Sequence, residues 1–439
     1  MIRIIILPLS VLLSVILFTV NAKAGTVYTR RDIPWNFAVY AEPDFMAEKM
    51  GEFQPQTVNV IEENETGWAL IDTSVGEYWG YLNGNRRYID ARTHLFDEKG
   101  GESSSQFIDP QVVSVAEQDG DWLLIDTWIG LKWIHLGTVT ITLSAAGDCT
   151  LGYDYRYNRN FMDTYERQGR DVTYFLRGVK DIFEESDLAI VNLEGPLTNE
   201  MAHAQKAFVF RGPPEFARIL SSSGVDAVTL ANNHTYDYLQ AGYSDTVNSL
   251  TDEGVAYFGN EYRTIKEVNG IKIGMFGFPI WNSSQNNKNL ISESIKELKA
   301  SGAGLIIAYY HWGIELDNYP NPAQKAIGRF SIDEGCDLVL GSHPHVIQGI
   351  EEYRGKNIVY SLGNFCFGGN SNPPDKDAFI FQQTFTFNGG RLLPDNDKNT
   401  IPVLISSERN RNNFQPTVAA GADAERIWGR LSQYSEGIK

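Results

Sequence analysis

Residues able to bind a metal recur just past short apolar runs. The run Asp226 to Leu230 ends at Ala231, Asn232, Asn233 and His234, and Leu188 to Val191 leads into Asn192 and Glu194. Leu305 to Tyr310 leads into His311, Asp337 to Leu340 into His343 and His345, and Val139 to Leu143 towards Asp148. A lone histidine past a strand is ordinarily a structural residue. Four of the chain's seven histidines in such places, with Asp148, Glu194 and Asn233, argue for a metal site. Imidazole, carboxylate and carboxamide together suit Mn, Fe or Zn better than Ca or Cu. Pro344 fixes the turn between His343 and His345. Asp237, three residues past His234, is placed to orient that imidazole as a general acid. The chemistry this set would perform is metal-assisted hydrolysis of a phosphoryl or acyl bond. Arg211 and Lys206 are candidates to hold an anionic group of the substrate, against the plainer alternative of a solvated strand edge.

These residues need a scaffold that brings strand ends together. From Val139 onward apolar strands alternate with amphipathic segments, which predicts an α/β layered domain with its ligands at the carboxyl edge of the sheet. The spacing predicts helices over 172–185, 214–222, 243–253, 292–300 and 323–334. In the first of these Phe175, Leu176, Val179, Ile182 and Phe183 share a face. Asn269-Gly270 marks a hairpin between 265–268 and 271–276. A strand is expected over 358–362, a surface loop over 370–377 and a half-exposed strand over 379–387. A short last helix is expected to have Ile427, Trp428, Leu431 and Tyr434 on one side.

Ahead of this domain lies a repeat. Trp68-Ala-Leu-Ile-Asp-Thr73 matches Trp122-Leu-Leu-Ile-Asp-Thr127, and Pro55-Gln-Thr-Val matches Pro110-Gln-Val-Val. Short alternating strands with Gly and Asp turns predict two small β-barrels, over 25–87 and 88–138, with the α/β domain over 139–439. The Trp79-Gly-Tyr-Leu82 ending resembles bacterial SH3-like domains, while Trp133-Ile-His-Leu136 departs from it at the Gly. That resemblance implies recognition of cell-wall peptide or a partner chain. The alternative is a packed spacer whose Trp residues are core. Residues 1–24 read as a signal peptide: Arg3, an apolar run from Ile4 to Val20, then Ala22-Lys23-Ala24. Export to the periplasm, envelope or medium is therefore expected, with an uncleaved membrane anchor as the alternative. A net charge of −18 argues against nucleic acid or an anionic membrane surface as the main partner. Cys149, Cys336 and Cys366 offer no zinc-type pair and are expected as buried thiols. A Gly-rich phosphate loop and a Gly-x-Ser-x-Gly element are both lacking, which sets kinase-like and serine-hydrolase chemistry aside.

Six motifs carry a wider resemblance: Gly147-Asp148, Asn192-Leu-Glu-Gly-Pro-Leu-Thr198, Ala231-Asn-Asn-His234, His311-Trp-Gly-Ile-Glu315, Gly341-Ser-His-Pro-His-Val346 and Ser361-Leu-Gly-Asn-Phe365. In order and spacing they resemble the CapA/PgsA family of poly-γ-glutamate capsule synthesis proteins. The resemblance implies a calcineurin-like metallophosphoesterase fold, a four-layer β-sandwich flanked by helices. It implies Asp148 as the first-strand ligand and Glu194 in place of the bridging Asp. Asn233, His311 and His343 would hold one metal and His345 the other, with His234 as the acid. The resemblance implies one or two ions, but Thr150 stands where that pattern has a His and Glu194 is longer than its Asp. These departures weaken the case for two tightly held ions and leave one or none. The implied setting is biosynthesis or export of an anionic capsule polymer, with a membrane synthesis complex among its partners. The alternative is a metal-dependent hydrolase of the cell envelope. An acidic protein and an acidic polymer repel each other over about a Debye length, roughly 8–10 Å. Binding would need a metal or a cluster such as Arg156, Arg159, Arg167, Arg170 and Arg177.

Overall fold

The computed structural model describes residues 28–438, apart from 35–36, 46, 75, 83, 90–92, 100–102, 110, 158, 389–390, 395–396 and 437. The expected signal peptide lies outside the described residues. Among those described, no helix is long and apolar enough to cross a membrane. By contacts the chain divides into two compact units, 1–90 with 110–131, and 91–109 with 132–439.

The repeat is visible as a repeated strand order. The first copy forms a six-stranded sheet in the order Thr29–Ile33, Gln56–Glu63, Trp68–Thr73, Gly76–Tyr81, Phe37–Tyr40, Lys49–Phe53. The second runs Arg86–Ile89, Gln111–Asp119, Trp122–Thr127, Gly130–His135, Thr93–Phe96, Ser103–Ile108, the same order element for element. Alternation fills the first copy's core with Val39, Val58, Val60, Ala69 and Ile71.

The larger unit holds the α/β part, two sheets face to face. One sheet runs Ala256–Phe258, Ala227–Thr229, Leu188–Leu193, Thr138–Thr150, Asp377–Asn388, Asp397–Leu404, Thr417–Val418. The other runs Thr264–Val268, Ile271–Ile280, Leu305–Trp312, Leu338–Ser342, Lys356–Val359, Ile350–Tyr353. Period-two alternation gives each strand one side chain set for the partner sheet and one for helices. Leu143, Leu188, Ile190, Ile307, Tyr309, Leu338 and Leu340 fill the space between the sheets. Ala189, Val191 and Val228 face a layer that contains the helices Asn160–Arg167 and Leu239–Asp252 through Phe161, Tyr165, Tyr243 and Leu250. Ile306, Ala308, Tyr310 and Val339 face the helices Gln285–Ala300 and Pro322–Glu334 through Ile291, Ile295, Leu298 and Ile327. The result is the expected helix, sheet, sheet, helix sandwich.

Local signals fix several ends. Asn321 and Gln324 form a capping box around Pro322, and Gly335 (φ 117°) stops that helix in the left-handed region. Asn269 and Gly270 take φ 49° and 77°, as the tight hairpin turn requires.

Four expectations need correction. The segment 172–185 is a 3-10 turn at Val172–Tyr174 and a short helix at Lys180–Glu184, not one helix. A Cβ at Gly178 would meet the Pro416 carbonyl oxygen at 2.5 Å, so the chain is packed too closely there for a regular helical surface. The strand expected over 358–362 is instead Lys356–Val359. The strand Asp377–Asn388 is not half-exposed at its start: Ala378 and Ile380 pack under helices, and Phe379 and Phe381 between the sheets. The last helix spans Ala422–Glu436 and buries Ile427, Leu431 and Tyr434 between the sheets, but Trp428 points outward, 48% exposed.

Candidate metal centre

The same alternation that fills the sandwich aims its last side chains at one place. Leu188 and Ile190 point between the sheets, so Asn192 and Glu194 follow them. Leu305, Ile307 and Tyr309 are succeeded by His311, and Leu338 and Leu340 by Ser342. Asp148 would fall on the wrong face by simple counting from Ala145. The pairing with Leu188–Leu193 shifts register between Ala145 and Asp148, a bulge that turns Asp148 back inward and puts Cys149 under the helices. That placement and burial, which pushes its thiol up to about 12, remove Cys149 from the site. All three cysteines are free and buried.

The donors meet between strand ends of the two sheets. His311 Nε2 lies 2.8 Å from Asn233 Oδ1, 3.0 Å from His343 Nδ1 and 3.6 Å from Glu194 Oε1. His345 Nδ1 is 3.2 Å from Asp148 Oδ2 and 2.9 Å from Asn364 Oδ1, and its Nε2 is 3.9 Å from Glu194 Oε1. Asn192 Nδ2 donates to Asp148 Oδ1 at 2.7 Å, and Asn232 Nδ2 to Asn192 Oδ1 at 3.0 Å. Thus Asp148, Glu194, Asn233, His311, His343 and His345 come together. His343 and His345, at φ 96° and 57°, both hold left-handed backbone around Pro344, strain of the kind stored at functional sites.

These residues fit a divalent cation. Glu194 is fully buried, its Oε2 accepts from Thr150 Oγ1 at 3.1 Å, and its Oε1 accepts no hydrogen bond. A buried carboxylate oxygen with imidazole nitrogens as neighbours calls for an explanation, and a metal ligand role provides one. Asp148, Glu194 and His345 each offer a donor atom within 4.8 Å of the others, as do Glu315, His343 and His345.

The electrostatics of the metal-free site are uneven. Burial and then the Asp148 charge push the Glu194 carboxyl up to about 7. Burial opposes ionisation of Asp148 too, but the hydrogen bond and charge of His345, with help from His311 and Asn192, hold it below the usual carboxylate range. Burial would lower the His345 imidazole, yet the Glu194 and Asp148 carboxylates outweigh it and raise it to about 9. Burial, then His345, brings His343 down to about 4, and burial holds His311 well below its ordinary value. His311 and His343 therefore present neutral nitrogens near neutral pH.

His234 stands beside this set without joining it. Its Nδ1 is 2.6 Å from Asp237 Oδ2, which also accepts from the Phe210 backbone N–H at 2.7 Å. Lys206 turns inward, its Nζ 2.6 Å from Asp237 Oδ1 and 2.7 Å from the Asn233 carbonyl oxygen. Arg211 donates to the Glu200 carbonyl and lies over the rings of Tyr155 and Tyr238. Both candidate anion-binding cations are engaged with the protein itself. Of the arginine cluster, Arg156 closes on Asp154 at 2.6 Å, Arg159 on Glu166 at 3.4 Å and Arg177 on Asp171 at 2.7 Å. A cleft of about 260 Å³ opens between His234, Glu315, His345 and Asn364, walled by Phe208, Phe210 and Phe367. The strand-end reading places Asn192 past its strand without giving it a role and assigns none to Asn364 or Glu315, although each sits inside one of the six motifs.

Comparison with known proteins decides the family. The model of the bacterial capsule synthesis protein family PGA_cap matches residues 142–369, just over half of the 439-residue chain. The chain belongs to this family. The PGA_cap match encloses every residue of the centre described above. The capsule biosynthesis protein CapA of Bacillus anthracis is 27% identical over 67% of this chain and 77% of its own length. The PGA biosynthesis protein CapA of Bacillus subtilis is 29% identical over 52% of this chain and 63% of its own. A hypothetical protein of known structure from Thermus thermophilus is 15% identical over 60% of this chain and 99% of its own, at a TM-score of 0.36.

Proposed function

We propose that this protein acts outside the cytoplasm in the biosynthesis or export of an anionic capsule polymer of the poly-γ-glutamate kind, through a divalent centre of Mn, Fe or Zn. The observation that carries the reading is the fully buried Glu194, whose Oε1 accepts no hydrogen bond and faces His311 and His345 at 3.6 and 3.9 Å. Family membership and the names of the Bacillus relatives supply the setting. In this reading the N-terminal repeats, over 25–87 and 88–138, are SH3-like modules that contact cell-wall peptide or a partner in a membrane synthesis complex. Residues 1–24 direct export.

A second reading, hydrolysis in the envelope, is favoured by the His234–Asp237 contact at the mouth of the cleft. A divalent metal supplies, when bound, acidification of a water and polarisation of the scissile group. Asp237 orients His234, whose Nε2 donates a proton to the leaving group, and Phe208, Phe210 and Phe367 restrict water.

The test is complementation of a strain lacking the gene, together with metal analysis of the purified protein. Wild type should bind metal and restore surface polymer, and His343→Ala should do neither. Full restoration by metal-free His343→Ala would remove the metal from the function. Metal-loaded wild type that leaves the polymer unchanged would remove the capsule role.

A further inference from the structure

We propose that Glu315 is a metal ligand, joining His343 and His345 in an outer cation site that makes up for the imidazole missing at position 150. This rests on the metal reading above and adds a residue to it.

Position 150 gives the centre no nitrogen. The Thr150 hydroxyl instead donates to Glu194 Oε2 and leaves only Oε1 of that carboxylate open. The group Asp148, Glu194, His345 is therefore short by one donor. The loop after Leu305–Trp312 brings another carboxylate close to His345. Glu315 there places an oxygen within 4.8 Å of donor nitrogens of both His343 and His345.

The loop is held for this purpose by three hydrogen bonds to the histidine turn and the residues just after it. Leu316 N–H donates to the Pro344 carbonyl at 2.8 Å, Asn318 Nδ2 to the Ile347 carbonyl at 3.1 Å, and Gln348 Nε2 to the Asp317 carbonyl at 2.8 Å. Leu316 adopts φ 62° to make its bond, so left-handed non-glycine backbone occurs on both sides of the same gap. Among the described residues the Glu315 carboxylate takes no hydrogen bond and no ion pair within 4.0 Å. Donors around an ion at about 2.1 Å sit roughly 3–4 Å apart, so closure by no more than about 1–2 Å completes the set. Glu315 is exposed in the cleft that His234 also lines, so an ion held there would meet whatever enters.

The experiment is equilibrium binding of Mn²⁺ alone and of Zn²⁺ alone to the full chain, wild type against Glu315→Gln, with metal content by mass spectrometry. Glu315 is exposed, so the substitution should leave the thermal unfolding of the metal-free protein unchanged. The expected result is an affinity for the last-bound equivalent at least tenfold weaker in Glu315→Gln, with Glu315→Asp intermediate. Equal stoichiometry and affinity in wild type and Glu315→Gln would overturn the assignment while leaving the metal centre standing. A wild type that binds neither metal would overturn the metal reading itself, and this assignment with it.

Discussion

His234 Nδ1 meets Asp237 Oδ2 at 2.6 Å, with the carboxylate's other oxygen held by Lys206 at the same distance. A carboxylate only accepts, so a ring hydrogen sits on Nδ1 in this contact, and Nε2 is the atom that passes a proton to a ligand when both ring nitrogens carry one. Ligation and acid catalysis place opposite demands on an imidazole. His234→Ala should therefore keep its metal and lose turnover of a generic phosphodiester by roughly 10²–10⁴-fold. His343→Ala should lose both. Metal analysis beside the assay separates them, and loss of metal from His234→Ala would make His234 a ligand.

Lys206 gives a second prediction. If it bound substrate anions, Lys206→Ala would raise KM and spare kcat. Because it instead holds Asp237 and the Asn233 carbonyl, the variant should lower kcat with KM little changed. Steady-state kinetics on an anionic and a neutral ester decides between the two.

Metal affinity should depend on pH in two stages. His345 is raised to about 9, so between about 7 and 9 the metal must displace one proton. Affinity should then fall about tenfold per unit as pH is lowered. Below about 7, Glu194 also carries a proton, and the fall should steepen to about a hundredfold per unit. Asp148, held below the carboxylate range, and His343, at about 4, add nothing in this window. Calorimetry in buffers of different ionisation heat counts the protons released, and a flat profile from 6 to 9 would contradict the prediction.

Gly147 gives a prediction about the scaffold. A Cβ there would lie 1.9 Å from the Gly363 carbonyl oxygen, the same oxygen that accepts the Asp148 N–H at 3.0 Å. Gly147→Ala must push the Gly363 backbone away from the strand Thr138–Thr150, at a cost of about 2 kcal/mol. The melting temperature and the metal content should drop together. An unchanged melting temperature would count against so close an approach.

Much of this site was legible in the sequence because buried strands have period two. Once Leu188 and Ile190 face inward, Glu194 must follow, and the same holds from Leu305 to His311. Asp148 could be placed just past its strand but not on a face, because the bulge after Ala145 reverses the count and leaves no mark that alternation detects. The helix expected over 172–185 fails for a related reason. Phe175, Leu176 and Val179 are buried as their spacing suggests, but contact with Pro416 and Thr417, more than 200 residues away, sets the backbone at Gly178. Glu315 was hidden because what makes it notable is the pinning of its loop to Pro344, a relation between two turns.

Asp148 and Glu194 ride on one sheet of the sandwich and His311 on the other. An ion among them would act as a clasp across the interface, and its grip would report how the two sheets are stacked. Shortening a side chain well away from the centre, such as Ile190 or Ile307, should alter metal affinity without touching a ligand. The interior of the fold and the tightness of its chemistry are thus inherited together: drift in one is felt as drift in the other.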